Sequence, residues 1–139
     1  MRTIDVNFNR SKEGLRVIED IFRFTFDDDI LRRKIRKVRH ALDALTKGKA
    51  IKEAILSRDS INDLGKHIDS LEIKRTSVLN TLYINFQRVK ESLRVLEEFF
   101  KLIIPKKVAI IKKQRYIIYV LEQKALKKWS PLYNARCRR

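Results

Sequence analysis

The sequence predicts an all-α protein: a single-domain helical bundle of about four main helices, built around an internal repeat. Three observations predict it. Apolar residues recur at helical spacing along most of the 139-residue chain, and strand-type alternation is nowhere sustained. Only three glycines and two prolines are present, too few for the turns of a sandwich or a hairpin barrel. Residues 7–24 (NFNRSKEGLRVIEDIFRF) return as residues 85–102 (NFQRVKESLRVLEEFFKL), with 10 of 18 positions identical at a constant offset of 78.

The elements follow in order. The first copy of the repeat forms the opening helix. Asp27, Asp28 and Asp29 then supply an N-cap and dipole-favoured anions for the helix ILRRKIRKVRHALDALTK, which stops at Gly48. A short helix, AIKEAILS, starts at Ala50. Residues 58–65 (RDSINDLG) are polar and turn-rich and read as a loop, whereas residues 66–75 fit either a short extended piece or a ragged helix. Thr76 or Ser77 caps a long helix that carries the second copy to about Ile103. Pro105 suits the first turn of a last helix that ends near Trp129. These boundaries give a helical domain over residues 1–129 and a basic tail over residues 130–139.

Composition removes several functions. The glycines Gly14, Gly48 and Gly65 are too far apart for a phosphate-binding loop or a dinucleotide fingerprint. One cysteine, Cys137, excludes a disulfide scaffold and a cysteine zinc site, and His40 and His67 form no zinc-binding pair. No apolar run approaches the roughly 18 residues of a membrane span. No apolar stretch of the signal-peptide kind follows the first residues, so the expectation is a reduced, cytoplasmic protein. Lys and Arg outnumber Asp and Glu 33 to 17, a formal net charge of +16.

On a helical wheel, Leu15, Val17, Ile18, Ile21, Phe22 and Phe24 of the first copy share one broad arc, which is expected to face the core. Asn7, Arg10 and Gly14 fall inside the same arc. The second copy places Asn85, Arg88 and Ser92 beside Leu93, Leu96, Phe99 and Phe100. An inward guanidinium needs either an acid partner or a wet cavity. Arg10 and Arg88 therefore serve an internal ion pair or a site for an anionic ligand, for which arginine offers a planar fork.

Other residues stay open between structural and chemical roles. Glu13, Arg16 and Glu19 step at i, i+3, as do Glu91, Arg94 and Glu97, so they form a salt-bridge ladder or hold a metal or phosphate. Arg39 and His40 form a helix-surface pair or a pocket edge. Arg58, Asp59 and Asp63 belong to a capping loop or to one that binds phosphate and magnesium together. Tyr116 is expected in the core.

The segments DVNFNRSKEGLRVIED, LRRKIRKVRHAL, RDSINDLG, NFQRVKESLRVLEEFFK and RYIIYVLE, in this order, resemble the monofunctional hydroxymethylpyrimidine phosphate kinase domain of thiamine biosynthesis. That domain occurs alone or fused ahead of a thiamine-phosphate synthase barrel. The match runs from Asp5 to Glu122. Val6 and Ser11 stand where the family usually has alanine, and Phe8 where it has leucine. The resemblance implies transfer of the ATP γ-phosphoryl group to 4-amino-5-hydroxymethyl-2-methylpyrimidine phosphate, with ATP and Mg²⁺ required. It implies substrate-binding roles for Asn7, Arg10, Glu13, Arg16, Arg39, His40, Asn85, Arg88, Glu91 and Arg94. Arg58 and Asp59 are expected to be catalytic, and Asp59 and Asp63 to hold magnesium. Expected partners are a small phosphorylated pyrimidine, a thiamine-phosphate synthase and a second copy of the chain, with no membrane. The basic runs LRRKIRKVR, PKKVAIIKKQR and ALKKW also fit a nucleic-acid-binding protein, and a non-catalytic partner module of the synthase is a third reading.

Overall fold

The computed structural model describes residues 2–68, 70 and 72–137. Five α-helices form, and no strand is present among the described residues: α1 Arg2–Asp20, α2 Asp29–Leu45, α3 Lys49–Leu56, α4 Val78–Ile103 and α5 Val108–Cys137. Four are long, as the periodicity predicts. No helix among the described residues is long and apolar enough to cross a membrane.

Each boundary has a local cause. Asp28 caps α2, its carboxylate accepting from the Leu31 amide at 3.0 Å. Gly48, with φ of 136°, sits at the start of α3 in a conformation that side chains resist. Ser77 caps α4 by accepting from the Asn80 amide at 3.0 Å. Pro105 opens a 3₁₀ turn, Pro105–Lys107, that leads into α5. Described residues of 66–75 form neither helix nor strand. Helix α5 does not stop near Trp129. Its backbone continues in helical conformation through residues 130 and 131 to Cys137.

Helices α1 and α4 form the central pair, with α2 packed on α1 and α5 on α4, and α2 and α5 closing the ring. The contacts run antiparallel. Phe8 at the start of α1 meets Phe100 near the end of α4, with ring centroids 5.7 Å apart. Phe22, past the end of α1, meets Phe86 near the start of α4 at 6.4 Å. The repeat offset converts Phe8 into Phe86 and Phe100 into Phe22, so these two contacts are images of one another. The two copies of the repeat are thus related by a pseudo-twofold axis between α1 and α4.

The duplication extends further than the repeated segment. Glu19 accepts from Arg39 Nε of α2 at 3.1 Å, and its image Glu97 accepts from Arg115 Nε of α5 at 2.8 Å. Buried Ile35, Leu42 and Leu45 of α2 match buried Ile111, Ile118 and Leu121 of α5. The duplicated unit is therefore a two-helix hairpin.

Two parts of the expected apolar arc are corrected. Val17 is 38% exposed and Phe24 67%. After Asp20 the chain forms a π-type turn, Ile21–Thr25, whose wider pitch rotates Phe24 away from the core. Arg23 instead lies over the Phe24 ring, 4.8 Å from its centroid. Tyr116, expected inside, is 55% exposed.

The axis also explains Gly14. A Cβ there would lie 2.8 Å from Val89 Cγ2 and 3.5 Å from the Asn85 carbonyl oxygen. The image contact is Ser92 on Ser11, where two small residues share a hydroxyl–hydroxyl bond of 2.8 Å. Valine is stiff at χ1, so the clash cannot be relieved by rotation alone. Gly14→Ala is expected to destabilise the fold by about 1–2 kcal/mol, overpacking outweighing the gain in helix propensity. Urea denaturation checks this; an unchanged or raised midpoint contradicts it.

Asp28 also fastens α5 to the start of α2. Its Oδ2 accepts from Trp129 Nε1 at 2.9 Å and pairs with Lys128 at 2.8 Å, while Trp129 stacks on Phe26 at 4.4 Å. Burial pushes the Asp28 pKa up, but the bonds from Lys128, the Leu31 amide and Trp129 outweigh it and hold the pKa below 3.8. A carboxylate depressed in the folded state stabilises the fold above its unfolded pKa, and that contribution is lost as pH falls through the folded value. Asp28→Asn is expected to cost about 1–2 kcal/mol near pH 7. Its melting curve should converge on that of the parent as pH drops below about 4. A Tm difference that stays constant down to acid pH would contradict this origin.

Candidate active site

The inward polar faces of α1 and α4 meet across the axis and line a cavity of about 790 Å³. That volume lies within the range of about 300–1,000 Å³ typical of small-molecule sites. Both copies of the repeat contribute to this one cavity. Asn7 and Asn85 line it, as do Arg10 and Arg88, and Glu13 and Glu91. Gly14 and Ser92 also line it, and so do Val17 and Val95. Each of these five pairs is related by the offset of 78. Among the described residues Gly65 and Glu72, from the segment joining α3 to α4, complete the lining.

The two asparagines are buried, 3% and 7% exposed. Each donates Nδ2 to the carbonyl four residues earlier, Asn7 to Thr3 and Asn85 to Thr81, at 2.8 Å in both cases. The amide nitrogens are thereby fixed, which leaves each Oδ1 as the acceptor end of its side chain. Arg10 and Arg88 are inward but wet: each is exposed at the cavity rather than sealed in the core. Neither has an acid partner among the described residues, so the internal ion pair is not what they form. Glu13 and Glu91 are likewise exposed and unpaired among the described residues.

The remaining predicted residues lie elsewhere. Arg58 is not in the cavity wall. Its Nε and Nη2 each donate at 2.6 Å to the two oxygens of Asp5, which is 3% exposed, and this bond raises the Arg58 pKa. The pair ties the segment after α3 to the first turns of α1. Asp59 accepts from the Asn62 amide at 3.1 Å and from Asn62 Nδ2 at 2.9 Å, and these bonds lower its pKa. Asp63 accepts from the Gly65 amide at 2.8 Å. Both aspartates therefore hold turns of their own loop, and neither lines the cavity. Among the described residues no group of three or more His, Cys, Asp or Glu gathers as a metal site.

Arg39 is committed to Glu19, and His40 is exposed on α2 outside the cavity. Arg16 lies 3.8 Å from Glu19, and its image Arg94 3.2 Å from Glu97. The flanking ladder is thus only partly solvated, since Glu19 and Glu97 are buried and reach across to the next helix. Arg94 borders a second hollow of about 470 Å³ with Lys90, Arg115 and Tyr119, and Glu91 lies between this hollow and the main cavity.

Sequence reasoning missed Asp5, Gly65, Glu72, Val17 and Val95. For the two valines a signal existed. They are identical at the repeat offset and flank the polar face, which an arc drawn only for the core did not use.

Comparison with known proteins follows the same residues. Residues 2–124 match the ThiD2 family. The chain is 38% identical over 122 residues to a thiamine-phosphate synthase of Synechocystis sp., covering 87% of this chain and 34% of that protein. It is 36% identical over 129 residues to a thiamine-phosphate synthase of Gloeobacter violaceus, covering 90% and 36%. A thiamine-phosphate synthase of Rhodopirellula baltica is 31% identical over 140 residues, covering 100% of this chain and 37% of that protein. The chain thus spans about a third of the length of these relatives. No solved structure matches it. With the match running from the first turn of α1 well into α5 and taking in every residue of the paired cavity, the chain belongs to the ThiD2 family.

Proposed function

We propose that this chain acts in thiamine biosynthesis as a phosphotransferase, converting 4-amino-5-hydroxymethyl-2-methylpyrimidine phosphate to its diphosphate with ATP. The observation that carries this is the paired cavity, where two guanidinium groups without acid partners among the described residues stand beside two buried asparagine carbonyls. The family match and the relatives named thiamine-phosphate synthase support the pathway.

The chemistry suits what the cavity holds. The nucleophile is an oxygen of the acceptor's phosphate, which is largely ionised near neutral pH because its second pKa is about 6. It attacks the γ-phosphorus of ATP, the bond from that phosphorus to the bridging oxygen of the β-phosphate breaks, and ADP leaves. No side chain has to remove a proton. The barrier is instead the approach of one anion to another, which fixed cations offset. Arg10 and Arg88 supply that charge. Asn7 or Asn85 accepts from the pyrimidine amino group.

Magnesium in such reactions is held by one or two carboxylates, with substrate phosphates and water completing its shell. Glu13 and Glu91 fit that requirement and are the residues that would hold it, in place of Asp59 and Asp63. When bound, the ion offsets charge on the triphosphate.

The test is direct. Purified protein is mixed with ATP, Mg²⁺ and the pyrimidine monophosphate, and the diphosphate is sought by mass. Its appearance supports the reading; ATP left intact with the protein folded rejects it. The relatives' name favours a second reading, a non-catalytic partner module of thiamine-phosphate synthase. That reading predicts a stable complex with the synthase and no ATP consumption.

A further inference from the structure

We infer that the cavity is two equivalent anion-binding half-sites, one centred on Arg10 and one on Arg88, and that a phosphorylated aminopyrimidine can enter either. The inference deepens the kinase reading. Its first clause concerns binding alone and stands or falls without it.

The equivalence is chemical as well as positional. Each half offers, at three-residue steps along one helix, an asparagine, an arginine and a glutamate: Asn7, Arg10 and Glu13 in one, Asn85, Arg88 and Glu91 in the other. Both asparagines are oriented by the same 2.8 Å bond to the carbonyl four residues earlier. Neither arginine has an acid partner among the described residues. Residues three apart on a helix project side chains about 5–6 Å from one another. In the proposed acceptor, the amino group and the methylene that carries the phosphoester sit on neighbouring ring carbons, so one Asn–Arg step can hold both. A phosphate that meets either guanidinium finds the same surroundings.

Two features distinguish the halves. Among the described residues Gly65 and Glu72 have no counterpart across the axis, because they belong to the segment that joins the two hairpins and lies outside the duplicated unit. Gly14 stands at the position that Ser92 holds in the other half, so only one half has a hydroxyl there. ATP brings its terminal phosphate to one half while the acceptor's phosphate occupies the other, and these differences determine which half each takes.

A functional consequence follows. At high concentration the pyrimidine phosphate fills both halves and excludes the ATP terminal phosphate. Turnover should then pass through a maximum and fall as the monophosphate rises, and added ATP should relieve the inhibition.

The binding test uses inorganic phosphate as the probe. Radiolabelled orthophosphate is taken to saturation in equilibrium dialysis at near-physiological salt, which screens adventitious surface lysines. The double variant Arg10→Ala/Arg88→Ala supplies the background. The parent should bind two phosphates per chain above that background, and each single variant one. Both arginines are exposed, so the variants should keep the parent's melting curve, which confirms that they are folded. A parent that binds one phosphate or none above background overturns the inference. So does a single variant that loses both sites while the other loses neither. If no diphosphate forms in the mass assay but the count is two, one and one, the half-sites hold and the kinase reading fails. If diphosphate forms but the count is one, the kinase reading holds and the equivalence fails.

Discussion

Replacing Arg10 or Arg88 with alanine is expected to lower kcat/KM for the pyrimidine phosphate by about 10²–10³-fold and to leave the thermal melt where it was. Both parts of that result follow from position. Each guanidinium faces the cavity without an acid partner among the described residues, so its removal deletes no fold-stabilising contact and strands no buried charge. What it deletes is fixed positive charge at the point where two anionic phosphates must approach. Arg10→Lys should recover part of the loss, because an ammonium restores the charge without the two-pronged geometry. Arg58→Ala should show the reverse pattern. Its partner Asp5 is buried, so the melt should fall, and activity should change only through the segment that Arg58 anchors. Steady-state kinetics with melting curves on the same samples separate the cases. Wild-type turnover by both cavity variants would reject the anion site.

The contrast between Arg10 and Arg58 shows what the sequence could and could not reveal. Both stand on motifs, and both looked like phosphate ligands. The inward placement of Arg10 was legible because its surroundings are local: it falls within the apolar arc of its own helix, and the second copy repeats the arrangement at Arg88. The ion pair of Arg58 was not, because its partner Asp5 lies 53 residues away and meets it only once α3 has packed on α1. Helix caps were legible for the same reason as Arg10. Asp28 and Ser77 act on amides three residues ahead, within reach of any reading of the chain. The inter-helix pairs Glu19–Arg39 and Glu97–Arg115 look on a wheel like members of a surface ladder, and only packing turns them inward. Phe24 fails for a subtler cause. The wheel assumes constant pitch, and the π-type turn before Phe26 changes it within the last turn. The repeat itself was legible over 18 residues, yet the duplicated hairpin was not. The link before Arg115 is two residues shorter than the link before Arg39, which breaks a fixed-offset comparison: the two ion pairs span 18 and 20 residues.

Glu97→Gln is expected to be among the most destabilising single changes outside the apolar core, at about 3–5 kcal/mol. In a domain of this size that corresponds to a fall in Tm of roughly 10–20 °C. Glu97 is 2% exposed, and its two oxygens accept from Arg115 Nε at 2.8 Å, Arg115 Nη2 at 3.2 Å and Arg94 Nη1 at 3.2 Å. Arg115 is 8% exposed, and its bond to Glu97 raises its pKa against the opposing effect of burial. Its remaining contacts are the Tyr119 hydroxyl at 3.1 Å and the faces of Tyr116 and Tyr119, neither of which carries a negative charge. An amide at position 97 therefore leaves a mostly buried guanidinium at the α4–α5 interface without its counter-charge, at the edge of the second hollow and unable to lose its proton. The image pair provides the internal control. Glu19 accepts a single bond from Arg39, whose side chain is 18% exposed, so water can take over part of that charge and Glu19→Gln should cost less. Replacing both partners of the α4–α5 pair with methionine should recover most of the loss, because an apolar pair of similar volume has no ion to desolvate. If Glu97→Gln melts no lower than Glu19→Gln, or if the double methionine variant is no better than the single, the pair does not hold the hairpin as described. Desolvation of Arg115 would then have to be relieved by Tyr119 and by water in the second hollow.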